Sequence, residues 1–147
     1  MLAQINLLGA VTTLAYFCST IMIFVLRLLG KADWGAKLGL AQTLVAIPIT
    51  CYLLYTAFQL ERTTLYWIQV ILFLAFLILE LLVDFVFKID FRGVRRMVIG
   101  YVTFFFAATG GMIGVASLAS AGWAIAAVIL YLIMGVLAFV QRAVTGI

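Results

Sequence analysis

The sequence predicts an all-α fold: a polytopic integral membrane protein built as a bundle of five transmembrane helices. Two observations carry this. The 147 residues are 68% hydrophobic and only 10% charged, whereas a soluble domain is about 45–50% apolar and roughly 25% charged. The apolar residues also form long runs, with the charged ones gathered in short connections between them. A chain of this size has too little interior to hide such an excess from water.

A hydrocarbon core about 30 Å thick needs roughly 20 helical residues to cross it. Runs at 5–29, 38–60, 65–87, 97–117 and 122–140 meet that length and form one transmembrane domain over 1–147. The first follows MLAQ, with no positive residue before it, so an uncleaved span is expected rather than a signal peptide. GKADWGAK links it to the second run, where Pro48 removes a backbone hydrogen bond and should kink the helix. ERTT leads into the third, and the segment ELLVDFVFKIDFRGVRR leads out of it. In that segment Phe85, Phe87, Ile89 and Phe91 alternate with Val86, Lys88, Asp90 and Arg92. A period of two suits an irregular stretch at the interface better than a helix face, with Gly93 allowing the turn into span four. The link at 118–121 forces spans four and five into a tight antiparallel hairpin. Cys18 and Cys51 fall mid-helix without metal-type spacing and read as small buried hydrophobes. No metal site or cofactor motif is present in the sequence.

Orientation follows from the cations. Arg27, Lys31, Lys37, Lys88, Arg92, Arg95, Arg96 and Arg142 fall on one side of a five-span arrangement, and only Arg62 on the other. The expectation is an outside N-terminus and a cytoplasmic C-terminus in the cytoplasmic (plasma) membrane of a prokaryote. Trp67 and Trp123 then lie at the outer interface and Trp34 at the inner one. Lys88, Arg92, Arg95 and Arg96 could also hold anionic lipid headgroups at about 1 kcal/mol each, but their first role is to fix topology.

Small residues predict the packing, because apolar surface alone drives no association in lipid. Span four carries AATGGMIGVAS, with Ala107, Gly111 and Gly114 on one face and Gly110 and Gly114 as a G-x-x-x-G pair. Span five opposes it with Gly122, Ala126 and Ala127, which makes span five the expected partner; a homodimer seam on Gly110 and Gly114 is the alternative. Spans one to three are more polar. Asn6, Thr13, Thr20 and Arg27 recur every seven residues, with Tyr16 beside them. Span two carries Tyr52, Tyr55 and Gln59, and span three carries Gln69 and Glu80. These stripes predict either interhelical hydrogen bonds or a polar path among the three helices.

Glu80 and Asp84 are the embedded acids. Either costs about 2.5–3.5 kcal/mol at the centre of a span and less near its end, which the surrounding Ile, Leu and Phe residues offset. Asp84 precedes Lys88 by four residues, the favourable order for an ion pair. Glu80 lies one turn deeper, where Arg27 of span one is the cation at matching depth. An Arg27–Glu80 pair is expected, with Arg27 snorkelling to lipid phosphate as the alternative.

The chain has no histidine, no paired cysteines and no phosphate-binding glycine loop, so an enzyme is not expected. Two functions stay open. The first is a non-catalytic subunit or scaffold, alone with lipid, in a homo-oligomer or beside another membrane protein. The second is a proton- or ion-coupled small transporter or channel that uses Glu80 in the polar path. Nucleic acid is not an expected partner, because the net charge of +4 sits in the links between spans.

Overall fold

The computed structural model describes residues 2–88 and 93–145, without the side chain of Thr145. The described chain is all-helical. Its helices are α1 (Leu2–Leu28), α2 (Ala32–Gln59), α3 (Thr64–Glu80), α4 (Arg95–Ser117) and α5 (Ala121–Thr145). A six-residue π-helical segment, Leu81–Val86, continues α3. All five helices, α3 counted with its extension, are long and apolar enough to cross a membrane.

The first link is shorter than the sequence suggested. Gly30 adopts φ +77°, its N–H bonds to Arg27 O at 3.2 Å, and Lys31 N–H bonds to Leu26 O at 2.8 Å. This glycine-terminated cap closes α1 and lets α2 begin at Ala32 rather than near 38. Trp34 and Lys37 therefore ride on α2, with the Lys37 ammonium 5.0 Å from the Trp34 ring centroid. Glu61 plays the glycine's part at the end of α2: it has φ 50°, and Arg62 N–H reaches back to Ala57 O at 3.1 Å. Thr63 then caps α3 by accepting from Tyr66 N–H at 3.3 Å. α2 runs through Pro48 without interruption.

The alternation expected from Phe85 onward starts too early. Residues 81–86 remain helical with a widened turn, and Phe87 N–H closes on Leu82 O at 2.8 Å, five residues back. Phe87 is exposed and Lys88 leaves the helix at φ 51°. The rest of the alternation, with Arg92, lies outside the described residues.

α1 packs against α2, α4 and α5; α3 packs against α2 and α4; α4 packs against α5. α1 to α4 thus form a ring, with α5 lying against α1 and α4. Across the ring α1 and α3 make no backbone contact, and side chains fill the space between: the Tyr16 and Phe73 rings meet edge to face at 5.0 Å. Phe17, Leu53, Val70, Phe73, Phe76, Leu77, Met112 and Met134 are fully buried. The buried threonines return their hydroxyls to carbonyls one turn back, as in Thr13 to Gly9 O at 2.8 Å and Thr50 to Ala46 O at 2.7 Å, so they enter an apolar core without an unpaired donor. Cys18 and Cys51 do not join that core; both are exposed on the outer faces of their helices.

The glycines of α4 are divided between two neighbours. Gly110 faces Tyr131 of α5, whereas Gly111 and Gly114 face Gln69 of α3. The span-four groove is therefore filled within the chain, by α3 as much as by α5. Gly122 lies at the start of α5, near Ser120.

Candidate functional site

The links at 60–63 and 118–120 meet the start of α1 at one end of the bundle, where Asn6 donates to Leu118 O at 3.4 Å and accepts a short hydrogen bond from Arg62. The Arg62 guanidinium also lies 4.6 Å from the Tyr66 ring centroid. Arg62 is thus held by its own end of the bundle. The other basic residues among those described lie at or toward the opposite end, and that half contains a cavity of about 650 Å³.

All five helices line the cavity. Its polar lining includes Tyr16, Thr20, Gln42, Glu80, Tyr101 and Gln141, with Arg27, Asp84 and Arg142 toward the basic end. The walls between are largely aromatic and aliphatic, including Phe24, Phe85, Phe105 and Phe106. The π-helical turn helps to build it. A five-residue repeat sets Phe85 beneath Glu80, where its ring comes within ordinary contact range of the Gly39 position on α2. Widened turns of this kind are frequent at functional sites.

Glu80 is the best-defined polar group. Its Oε2 accepts from the Tyr16 hydroxyl at 3.4 Å and lies 3.5 Å from the Thr43 hydroxyl, whose proton goes to Gly39 O at 2.8 Å. Both contacts are long for O–H···O hydrogen bonds, and both use the same oxygen. Asp84 and Arg27 share the cavity with it, and both exert electrostatic influence on the Glu80 carboxyl. The helical register that would have set Lys88 one turn after Asp84 is lost when the chain leaves the helix at Phe87.

Gln42 has a fixed orientation. Thr20 has one hydroxyl proton, and it goes to Tyr16 O at 2.8 Å. Toward Gln42 the Thr20 oxygen can only accept, which requires the amide nitrogen at 3.4 Å to face it. The Gln42 Oε1 is thereby turned away from Thr20, and it is buried without a hydrogen bond from the protein.

The polar path expected from spans one to three is redistributed. Tyr16 and Thr20 line the cavity. Thr13 is buried nearer the middle, where it reaches Met112 O at 3.3 Å, and Asn6 belongs to the opposite end. Tyr52 and Tyr55 face outward, 47% and 60% exposed, with Gln59 donating to Tyr55 at 2.9 Å on that outer face. Gln69 packs on α4. Of the cluster assigned to lipid headgroups, Lys88, Arg95 and Arg96 are exposed. Gln42, Thr43, Tyr101, Gln141 and Arg142 were missed as site residues. For Thr43 a signal existed: Gly35, Gly39, Thr43, Ala46, Thr50, Leu53 and Ala57 recur in steps of four and three and form the buried stripe of α2.

Comparison with protein-family models, curated proteins and solved structures finds no match to this chain. The fold and composition define it as an all-helical protein with five helices long and apolar enough to cross a membrane.

Proposed function

We propose that the chain is a small membrane carrier in which Glu80 exchanges protons and cargo within the cavity. One observation supports this above others: a carboxylate, which accepts from a hydroxyl of another helix, lines an aromatic-walled cavity of about 650 Å³. That volume is typical of ligand sites, and an ionisable group at this depth in a membrane is a functional site by default. A subunit or scaffold, the reading the sequence preferred, gives the cavity no role. The concentration of cations at the cavity's end supports a cytoplasmic opening, with both the N-terminus and Arg62 outside. No bond-making chemistry is part of this reading.

The test is proton flux into liposomes containing the purified chain and an internal pH dye, under an imposed membrane potential. Wild type should pass protons faster than protein-free vesicles, and Glu80→Gln should reduce the rate to theirs. Equal rates for wild type and empty vesicles would return the chain to the scaffold class.

A further inference from the structure

The geometry points to a membrane-partitioned amine, protonated and carrying at least one N–H, as the ligand of this cavity. The inference deepens the carrier reading and rests on it. Four charged side chains line the cavity, and three of them (Arg27, Asp84 and Arg142) occur in the last turns of α1, the π-helical segment and α5, at the basic end. The deep region therefore carries one formal charge, that of Glu80. The hydroxyl protons beside it are already committed. Tyr16 directs its proton to Glu80 Oε2, and Thr43 directs its own to Gly39 O at 2.8 Å. Thr20 uses its proton on a backbone carbonyl. Gln42 Oε1 remains as an acceptor without a donor from the protein, in the same cavity as the Glu80 carboxyl.

A cation with N–H groups matches both the charge and the unpaired Gln42 acceptor. An anion matches neither, and a neutral ether lacks the charge. A quaternary ammonium would satisfy Glu80 by charge alone and leave Gln42 unmet. The aromatic walls suit the same choice, since ring faces attract cations. The ligand's apolar part is implied by the rim. Ile99 of α4 and Phe139 of α5 line the cavity, yet are 55% and 71% exposed on the apolar outer surface. α4 and α5 close on each other nearer their hairpin, where Tyr131 donates to Phe106 O at 3.0 Å and Gly135 lies against the Phe106 ring. Beyond that closure the cavity reaches the face that meets lipid, so its ligand can arrive from the bilayer.

The test is calorimetric titration of the full chain in zwitterionic-lipid nanodiscs, corrected against empty nanodiscs, with four probes of similar size. They are N-benzylhexylamine, its N,N-dimethyl quaternary form, benzyl hexyl ether and 4-hexylbenzoate. The amine should bind roughly tenfold or more tightly than the quaternary form, and the ether and benzoate should not bind measurably. Gln42→Leu should bring the amine down to the quaternary level while leaving the quaternary form unchanged, a pattern that misfolding would not produce. Glu80→Gln should abolish binding of both cations. Equal affinity for amine and quaternary form, preference for the benzoate, or no binding by any probe to wild-type protein of unchanged thermal stability would each overturn the inference. The two proposals fail separately: Glu80-dependent flux without amine binding removes the ligand class alone, and amine binding without flux removes the carrier.

Discussion

The Tyr16 hydroxyl donates to Glu80 Oε2 at 3.4 Å across a bundle in which the backbones of α1 and α3 do not touch. This contact and the neighbouring Tyr16–Phe73 ring pair bridge the two helices over the inner wall of the cavity. Tyr16→Phe keeps the ring and removes the hydroxyl. Interhelical hydrogen bonds in membranes average about 0.6 kcal/mol, so thermal stability in detergent should fall by no more than a few degrees. Proton flux should fall much further, by roughly tenfold, because Glu80 loses the hydroxyl that donates to it. A large stability loss with normal flux would make Tyr16 structural only.

Gly114 tests the packing of α4 on α3. A Cβ built there would collide with the Gln69 amide, the far end of a flexible side chain that can turn aside, so the cost falls at or below the low end of the about 1–3 kcal/mol usual for overpacking. Gly114→Ala should lower the denaturation midpoint, and Gln69→Ala in the same chain should recover most of the loss. Additive losses in the double-mutant cycle would show that the two residues are not coupled. Gly110→Ala should not be rescued by Gln69→Ala, since its neighbour is Tyr131 of α5.

These two glycines also show what the sequence could and could not convey. Five runs of spanning length were legible because hydropathy over 20 residues is a one-dimensional property, and all five helices exist. Which face of each helix turns inward is a property of neighbours. On α1 the seven-residue repeat of polar residues marked the inner face, and Thr13, Tyr16 and Thr20 are buried. On α2 the eye went to Tyr52, Tyr55 and Gln59 as the larger polar groups, whereas the buried stripe is small: Gly39, Thr43, Ala46 and Thr50. In lipid, a tyrosine can face outward at little cost near an interface, so polarity alone is a weak marker of the inside. The cavity was legible only on the side of α1 and α3, through Tyr16, Thr20 and Glu80, because it also needs Tyr101, Gln141 and Arg142 from helices that show only packing patterns. Glu80 was legible because burying a carboxylate in a span is costly enough to require a reason.

Gly30 isolates a backbone effect. Its φ is +77° and nothing lies within 4 Å of a Cβ built there, so the cost of a side chain is conformational rather than steric. Gly30→Ala should destabilise by about 1 kcal/mol, read as a shift in denaturation midpoint. Gly100→Ala, also at an open position but inside α4, should be neutral or slightly stabilising. An equal loss at both sites would mean that the cap on α1 contributes nothing.

Orientation can be read with cysteines. Cys18 and Cys51 are exposed on outer helix faces, so Cys18→Ala and Cys51→Ala remove no core packing and should together change stability by less than about 1 kcal/mol. In that background, single cysteines at Ser120 and at Lys31 sit in the links at opposite ends of the bundle. If the cation-rich end is cytoplasmic, a membrane-impermeant maleimide applied to intact cells should label Ser120→Cys and leave Lys31→Cys unlabelled until the membrane is permeabilised. The reverse pattern would invert the chain and turn the cavity outward. Labelling at both sites in intact cells would argue against a single orientation, and with it against a carrier that opens toward the cytoplasm alone.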